Sequence, residues 1–360
     1  MILRSTGERG THGDLALSPP PKPPYVSEMP RRFENHVVLG AGGAIAKALV
    51  PQLLRDGERV VLVSRHGTEV DGTRSARADA TSYDELMRAV PDGSVVYLLV
   101  GLPYDVRVWR EQWPRIMSNA IRVCADKRAL LVFFDNVYMY GLVEGPMTEA
   151  TPYAPSSKKG EIRARIATQL MAECAAGKLH AIVARSADFY GPGAEKTGIP
   201  NVLVIERLLA GKSAQWPGSM DAAHSLTYTT DCGKALPLLA ADETAYDRIW
   251  HLPTARPALT MRRFIELAAE ATGARPRRMV LPRWMIGVGG LFDRTVKELG
   301  EMLYQNTNDY VFDSSKFEGH FGLSPTPYER GIIETIEHYR RSTPTARLRR
   351  GLLPGEDSST

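Results

Sequence analysis

The sequence predicts an α/β protein built on a doubly wound parallel sheet, with a smaller lobe on its C-terminal side. Short apolar runs alternate with helical stretches over residues 36–186, as in strands that are buried on both faces. A cluster of glycines follows the first run directly, where a strand would turn into a helix. After about Tyr190 the pattern loosens into shorter elements, which predicts a lobe over the carboxyl edge of the sheet.

Five apolar runs predict the strands of this sheet, and four helical stretches are expected between them. The predicted strands are, in chain order, "HVVLG", "RVVLVS", "SVVYLLV", "ALLVFF" and "HAIVARS". The predicted helices run from the glycine cluster to Asp56, through "YDELMRAV", from about Val106 to Cys124 and from about Ser157 to Ala176. Each apolar run has the length of one buried strand, so helices are expected on both faces.

The two ends of the chain differ in composition from the part between them. Residues 1–34 are rich in proline and polar residues, and residues 343–360 lack apolar periodicity, so both are predicted to be disordered. The formal net charge is +4. Residues 1–35 carry five basic and four acidic side chains and residues 340–360 carry five and two, so the remainder is formally neutral. This argues against a nucleic-acid partner.

Targeting and cysteine patterns exclude further classes. The sequence has no apolar stretch long enough to span a membrane and no apolar signal core at its N-terminus, so a cytoplasmic protein without a membrane partner is expected. Cys124, Cys174 and Cys232 are widely separated and odd in number, which favours reduced thiols over disulfides or a zinc site. No metal is predicted.

The glycine cluster predicts a dinucleotide site. Gly40, Gly42 and Gly43 follow the first strand, and Ala44 and Ile45 open the next helix. Glycine permits a tight turn there and lets backbone N–H groups approach a pyrophosphate at the positive end of the helix. The alternative is an ordinary strand–helix turn, but strand and helix flank the cluster in the order that the motif requires.

The end of the second strand bears on the choice of cofactor. It ends in Ser64 and Arg65, where an NAD-specific protein usually carries an acidic residue for the ribose diol. A hydroxyl and a guanidinium suit a 2′-phosphate instead, so NADP(H) is favoured over NAD(H). The alternative is that Arg65 is a solvated surface residue.

Several motifs in order make the chain resemble the extended short-chain dehydrogenases/reductases, the NAD-dependent epimerase/dehydratase group. The loop Gly40-x-x-Gly43-x-x-Ala46 resembles the glycine loop of that family, with Ala46 in place of the third glycine. "VYMYG" and "ARSADFYGPG" resemble its Tyr-Gly and Arg-x-x-Asn-x-Tyr-Gly-Pro signatures. The resemblance covers roughly residues 36–340 and implies a Rossmann-type fold. It also implies further cofactor contacts by Asp79, Ala80, Val100, Gly101, Leu102 and Asn119.

The expected active centre departs from this family. The serine or threonine five residues before the glycine of its Tyr-Gly signature is replaced by Asn136. Alignment from Pro155 places Lys159 at the family's tyrosine and Arg163 at its lysine, while Tyr153 precedes the helix. Lys159 is therefore expected to hold a carbonyl or an anion, and Arg163 to take over the ribose contact. Neither residue reproduces a phenol.

Tyr138 is the predicted replacement for the missing acid–base tyrosine. It lies two residues after Asn136, and at a strand end this spacing would point both side chains the same way. With Lys159 nearby, its phenol would act as acid or base; the alternative is a packed aromatic whose hydroxyl bonds to the backbone. Asp135 is a weaker base candidate, expected to point the other way and cap a turn. Tyr140 is expected to be structural.

The substrate side departs from nucleotide-sugar enzymes, which the resemblance would otherwise suggest. His224 stands where those enzymes carry an arginine for the diphosphate, and Asp188 stands where they carry asparagine. An imidazole and a carboxylate there disfavour a dianionic diphosphate. A smaller or more apolar substrate is expected, bound by Asp188, His224 and Tyr104. The side chains available to line its pocket are Trp216, Trp284, Met285 and Tyr304.

These observations predict an NADP(H)-dependent oxidoreductase or epimerase-like enzyme that acts on a small non-nucleotide carbonyl or alcohol. Residues 35–190 would form the NADP-binding domain and residues 191–342 mainly the substrate lobe, and a homodimer is compatible with this class. Two alternatives stay open. One is a non-catalytic NADP-binding sensor or regulatory protein, and the other is a redox-neutral isomerase or cyclase on the same fold.

Overall fold

The computed structural model describes residues 33–282, 284–285, 298 and 300–342. The predicted tail and nearly all of the predicted leader therefore lie outside the described residues. The strands are β1 Asn35–Leu39, β2 Arg59–Ser64, β3 Arg74–Arg77, β4 Val95–Leu98, β5 Leu130–Asp135, β6 Ala181–Arg185, β7 Asp188–Tyr190, β8 Ala214–Pro217, β9 Ala223–His224, β10 Leu226–Tyr228, β11 Arg248–His251, β12 Leu259–Thr260 and β13 Arg278–Leu281.

The α-helices begin after the first strand and continue to the end of the described chain. They are α1 Ala44–Arg55, α2 Tyr83–Ala89, α3 Val106–Asp126, α4 Lys158–Ala175, α5 Glu206–Leu209, α6 Thr229–Ala241, α7 Met261–Thr272, α8 Tyr304–Thr307, α9 Ser315–Phe321 and α10 Tyr328–Ser342. Among the described residues, none of the helices is both long and apolar enough to cross a bilayer.

Seven of the strands form one parallel sheet in the order β11-β6-β5-β4-β1-β2-β3. The five predicted strands are all present, and so is the doubly wound topology. The chain leaves β1 in one direction for β2 and β3, then returns to place β4 on the other side of β1. This switch opens a crevice beyond the carboxyl ends of β1 and β4, where sheets of this kind bind ligands.

Two apolar layers cover the faces of the sheet, as the uniformly apolar strands predict. On one face the sheet packs against α3 and α4, with buried Trp113, Ile116 and Ile166. On the other face it packs against α1 and α6, through residues such as Leu49 and Leu236. Both layers consist largely of branched aliphatic side chains, whose removal from water is the main stabilising contribution here.

Two strands of the sheet, β3 and β11, are not predicted by the sequence. β3 is an edge strand of sequence Arg-Ser-Ala-Arg that is mostly exposed, so it lacks an apolar pattern. β11 comes from residues 248–251, beyond the expected domain boundary at residue 190, and pairs in parallel with β6. The smaller lobe is therefore not continuous in sequence, because α6 and β11, which follow several of its strands along the chain, belong to the central sheet and its covering layer.

The smaller lobe has its own core and lies at the carboxyl edge, as expected. Short strand pairs β10–β7, β12–β9 and β13–β8 form it together with α7 and α10. Its buried residues include Trp216, Phe264 and Tyr328. A further apolar cluster, containing Val137, Met139, Tyr310 and Phe312, lies where this lobe meets the end of β5.

Candidate functional site

The glycine loop lies at the crevice between β1 and β4. Gly40 has φ +91°, and a Cβ there would lie 2.7 Å from the carbonyl oxygen of Leu99, so only glycine lets the ends of β1 and β4 approach. A Cβ on Gly42 would meet nothing within 4 Å. Gly43 precedes α1 and offers no capping side chain, and the first turn of α1 carries no acidic residue. This loop and helix end fit a pyrophosphate.

Arg65 and Asp79 frame the outer part of the same crevice. Arg65 is exposed directly after β2, and the Ser64 hydroxyl lies 3.0 Å from that of Thr68. The Asp79 carboxylate accepts hydrogen bonds from the backbone and hydroxyl of Thr81. Partial burial would raise the pKa of Asp79, but the Thr81 hydrogen bonds and the charges of Arg65 and Arg115 hold it below its ordinary value. Two cations thus lie around the predicted adenine–ribose position.

The loop after β4 is fixed by helix α3. The indole Nε1 of Trp109 donates to the Pro103 carbonyl at 3.0 Å, which fixes the segment after Val100, Gly101 and Leu102. Asn119 is buried and its amide donates to the Ala80 carbonyl at 3.2 Å. Asn119 therefore holds the backbone of Ala80, next to Asp79, in place. A direct contact between Asn119 and the cofactor stays a prediction.

Asp135 lies in a buried network at the end of β5. Its carboxylate accepts from Arg163 Nε at 2.7 Å and from Arg185 Nε at 3.3 Å, and all three side chains are almost fully buried. The Arg163 guanidinium lies over the ring of Trp113, 4.4 Å from its centroid. Asp135 also accepts from the Asn136 backbone N–H. Since its charge is balanced by two arginines, the carboxylate is placed to orient neighbours rather than to face solvent.

Arg185 extends this network to His251. Its guanidinium donates to the hydroxyls of Tyr153 and Tyr140, the latter at 2.7 Å. Tyr140 therefore donates to His251 Nε2 at 2.8 Å, and His251 Nδ1–H donates to the Asp313 carbonyl at 2.8 Å. Burial lowers the pKa of His251 to about 3, so the imidazole is neutral, as this chain of donors requires. Tyr140 has the structural role expected from the sequence.

Lys159 is also ion-paired. It lies in the first turn of α4 with its side chain fully buried, bonded to Glu298 and, at 3.1 Å, to Glu301. Its ammonium lies 4.5 Å from the ring centroid of Tyr104. Glu298 accepts in addition from the backbone of Val106, so the triad ties α4 to the start of α3. The carboxylates come from a segment about 140 residues away in sequence.

The orientation of Tyr138 is not set by its two-residue spacing from Asn136, contrary to the prediction from the sequence. β5 ends at Asp135, and Tyr138–Tyr140 form a turn of 3₁₀-helix, so the two-residue alternation of a strand does not apply. Instead the Asn136 side chain accepts from the Tyr138 backbone N–H at 3.1 Å and fixes the turn. The Tyr138 ring stacks on Trp109 with centroids 6.3 Å apart. Burial, with the charge of Asp188 as a second cause, raises the pKa of Tyr138 well above its ordinary value.

Asp188 and His224 are brought together on the lobe side. His224 Nε2 lies 3.0 Å from an Asp188 carboxylate oxygen, and the buried imidazole stacks on Tyr310 at 4.6 Å. Trp216 is fully buried and makes an edge contact with His224 at 5.4 Å. Trp284, in contrast, is 70% exposed, so it does not line an enclosed pocket. The exposure of Met285, 38%, points the same way.

Several side chains of the site were not singled out from the sequence. Glu298 and Glu301 stand three residues apart, which could have indicated two carboxylates on one helical face. Arg185 lies in the "ARSADFYGPG" motif, but the motif does not indicate its pairing with Asp135. Arg115 and Tyr310 carry no sequence signal, because only the fold brings them to Asp79 and His224. Within the described ranges, no cluster of histidine, cysteine and acidic side chains could hold a metal ion.

A doubly wound sheet with a glycine loop at its switch point defines a dinucleotide-binding α/β protein. A family model described as the NAD dependent epimerase/dehydratase family matches residues 36–250. The chain belongs to this family. Its membership supports an oxidoreductase-like enzyme that uses a nicotinamide dinucleotide, and the resemblance inferred from the motifs is confirmed.

Solved structures share this fold at low sequence identity. A dTDP-glucose 4,6-dehydratase from Bacillus anthracis, in complex with NAD, is 16% identical, with a TM-score of 0.70 over 86% of this chain and 97% of that one. A UDP-glucose 4-epimerase from Thermus thermophilus, also with NAD, is 19% identical, with a TM-score of 0.70 over 86% and 100%. MoeE5, in complex with UDP-glucuronic acid and NAD, is 24% identical, with a TM-score of 0.71 over 86% and 100%.

These likenesses confirm the Rossmann-type fold. No curated protein matches the sequence.

Proposed function

We propose that the protein is an NADP(H)-dependent oxidoreductase that acts on a small non-nucleotide carbonyl or alcohol. The proposed cofactor preference rests on the end of β2. The exposed Arg65 directly follows Ser64, the last residue of the strand, and neither position carries an acidic side chain. The backbone from Gly40 to Ile45 would hold the pyrophosphate, Ser64 and Arg65 the 2′-phosphate, and Asp79 and Ala80 the adenine side. The solved structures described above carry NAD, so this preference would distinguish the chain from them.

The Tyr138 phenol is the proposed proton donor. A bound nicotinamide dinucleotide supplies or accepts the hydride. During reduction of a carbonyl, the Tyr138 hydroxyl would pass its proton to the substrate oxygen as negative charge develops there. Because burial raises the pKa of Tyr138, the phenol is protonated at neutral pH and suits the reductive direction. The Asn136 side chain would position Tyr138 by accepting the hydrogen bond of the Tyr138 backbone N–H.

The ion-paired residues support the Tyr138 assignment. Lys159 is neutralised by Glu298 and Glu301, and Arg163 and Asp135 are held with Arg185. Groups fixed in buried ion pairs exchange protons at a high cost, because the partner would be left uncompensated. We therefore propose that Lys159, Arg163 and Asp135 position other groups rather than transfer protons. Lys159 would act on the substrate indirectly, by holding the ring of Tyr104.

The test is a comparison of NADPH and NADH by titration calorimetry. NADPH is expected to bind about tenfold to a hundredfold more tightly, as for a charge-assisted contact to the 2′-phosphate. Arg65→Asp should abolish or reverse this preference. Arg59→Asp, at the other, exposed end of the same strand, is the matched control and should keep it. Equal affinities in the unmodified protein would exclude the NADP(H) assignment, and a screen of carbonyl compounds at 340 nm tests turnover.

A second candidate is a cofactor-binding sensor without catalysis. The observation that favours it is the burial of both cations that replace the family's tyrosine and lysine, each inside an ion pair. The two candidates differ in one readout. A sensor would bind the dinucleotide with the same preference but would show no oxidation of NADPH with any carbonyl in the screen.

A further inference from the structure

The turn that follows β2 lies against the side chain of Arg77, at the end of β3. Gly67 in this turn has φ +77°, and a Cβ there would stand 3.2 Å from Arg77 Nε and 3.7 Å from Ser75 Oγ. Any other residue at this position would be strained and would also push the Arg77 guanidinium away. Glycine therefore allows the turn and Arg77 to approach each other closely.

Ser64 and Arg77 are neighbours in the sheet. They are paired in register at the carboxyl ends of β2 and β3, so their Cα atoms lie about 5 Å apart. Ala76 and Ala78, on either side of Arg77, pack into the apolar layer that contains α3 and α4. Because side chains alternate along a strand, Arg77 points to the opposite face, where Ser64 also lies, two residues after Leu62. The hydroxyl and the guanidinium therefore extend from the same face, side by side.

This turn collects hydrogen-bond donors that have no acceptor. Arg65 and Arg77 are both exposed, and neither forms an ion pair or a hydrogen bond with another described residue. The backbone N–H groups of Arg65, His66 and Gly67 likewise donate to no other described residue. Two unpaired guanidiniums at one turn repel each other, and an anion bound between them would remove this repulsion.

A phosphomonoester is the anion that suits these donors best. It carries a charge of −1.5 to −2 at neutral pH, about that of two guanidiniums with opposite sign, and three oxygens that accept hydrogen bonds. Guanidiniums bind such oxygens through pairs of parallel N–H···O bonds. The turn also lies at the carboxyl edge of the sheet, next to the strand that carries the glycine loop. The adenosine ribose of a dinucleotide on that loop would lie at this edge.

We propose that Arg77 is a second specificity-determining residue of the cofactor site and that, together with Arg65, it forms a two-guanidinium site for the 2′-phosphate of NADP(H). This inference rests on the proposed function, which assigns only Ser64 and Arg65 to that phosphate. Ser64 is the neighbour of Arg65 along the chain and of Arg77 across the sheet, so its hydroxyl donates to the same group. NADH has no anion at this position, so Arg77 acts on the choice between the two cofactors rather than on dinucleotide binding in general.

Titration calorimetry of the full chain with NADPH and NADH tests the proposal. Arg77→Gln should lower the ratio of NADPH affinity to NADH affinity by about tenfold, as for the loss of one charge-assisted contact, and should leave the affinity for NADH unchanged. Arg77→Glu should lower the ratio further. Arg74→Gln is the matched control, because Arg74 is also exposed but stands at the amino end of the same strand. An unchanged ratio in Arg77→Gln, or an equal fall in Arg74→Gln, overturns the proposal.

Smaller probes separate the phosphate of the cofactor from a free anion. Adenosine 2′,5′-bisphosphate should bind more tightly than adenosine 5′-monophosphate, and Arg77→Gln should reduce this difference by the same factor as for the dinucleotides. Inorganic phosphate alone should bind far more weakly than the bisphosphate. Inorganic phosphate that binds as tightly as the bisphosphate would reveal a site for free anions and contradict the assignment to the cofactor.

The outcomes also separate this inference from the proposed function. A preference for NADPH that disappears in Arg65→Asp but persists in Arg77→Gln refutes the role of Arg77 and leaves the cofactor assignment intact. Equal affinities for NADPH and NADH in the parent refute the cofactor assignment, and this inference with it.

Discussion

At the scale of single residues, Lys159 and Arg163 show what the sequence could and could not reveal. Their spacing of four residues predicted one helix face, and both are buried on the same side of α4. Their ion-pair partners could not be predicted from the sequence. Glu298 and Glu301 lie far along the chain from Lys159, and Asp135 lies on strand β5 rather than on the helix that carries Arg163. The sequence identified the replacement of the family's tyrosine and lysine, whereas only the fold shows that the replacements form ion pairs.

Replacing Tyr138 by phenylalanine tests the proposed proton donor. Turnover of a carbonyl substrate should fall by about a hundredfold to ten-thousandfold, the usual contribution of general acid–base assistance. The affinity for NADPH should be unchanged, because the ring and its stacking on Trp109 remain. Single-turnover kinetics and calorimetry measure the two quantities.

Tyr83→Phe is the control for this experiment, since Tyr83 bonds to Asp126 away from the site. Normal turnover by Tyr138→Phe would show that the tyrosine serves packing alone. The proton would then come from Lys159, Asp135 or water, and a redox-neutral reaction would gain support.

The buried His251 predicts a dependence of stability on pH. Its pKa is lowered to about 3 by burial, against 6.5 for an ordinary histidine. As the pH falls from 6.5 toward 3, the unfolded chain takes up a proton that the folded protein does not, so the free energy of unfolding decreases. Urea titrations between pH 7.5 and 4.5 should show this loss, at up to about 1.4 kcal/mol per pH unit from this group.

His251→Gln should flatten that dependence, although it lowers stability at pH 7.5. Part of the slope should survive, because burial also lowers the pKa of His36, to about 4. His66→Gln, at an exposed position, is expected to leave the slope as it is. An undiminished slope in His251→Gln would mean that its imidazole is protonated in the folded protein.

At the scale of elements, the sequence predicted those with strong patterns and missed those that tertiary contacts impose. The apolar strands and the start of α4 next to Ser157 are confirmed, because each carries its own local signal. The structure adds that the Ser157 hydroxyl caps α4 by accepting a hydrogen bond from the Gly160 N–H. The sequence predicts a strand end at Tyr138, whereas the structure has a turn of 3₁₀-helix there. Its sequence is apolar like that of β5, and only the Asn136 side chain and the packing beneath it convert it into 3₁₀-helix.

The glycine loop offers a matched pair of substitutions. Gly40→Ala should destabilise the fold by about 1–3 kcal/mol, because its φ of +91° and the approach of Leu99 both exclude a Cβ. Gly42→Ala should keep the melting temperature, since a Cβ there meets nothing within 4 Å. A pyrophosphate over the loop would need that space, so Gly42→Ala is expected to weaken NADPH binding by at least about tenfold.

Thermal denaturation and calorimetry on both variants provide the measurement. A Gly40→Ala variant as stable as the parent would contradict the close approach of β1 and β4. Unchanged NADPH affinity in Gly42→Ala would place the pyrophosphate elsewhere.

At the scale of the whole molecule, the sheet and the lobe are built from interleaved parts of the chain. β11 follows the lobe strands β7 to β10 in sequence but pairs with β6 at the edge of the sheet. α6 covers one face together with α1 through Leu236 and Leu239. The sequence located the lobe, but it could not show this return, because β11 is a short strand whose burial depends on its neighbours.

A chain cut at the expected boundary should therefore not fold. A fragment of residues 33–190 retains six of the seven strands and loses α6, β11 and α9, so the sheet face over Val132 of β5 and Ile182 of β6, which α6 covers, would be exposed to water. The stabilising free energy lost with that apolar contact is expected to exceed the net free energy of unfolding that is typical of a domain of this size. We expect no cooperative transition in circular dichroism, whereas a fragment of residues 33–342 should keep the melting temperature of the full chain. A cooperative transition in the shorter fragment would show that the first six strands form an independent domain.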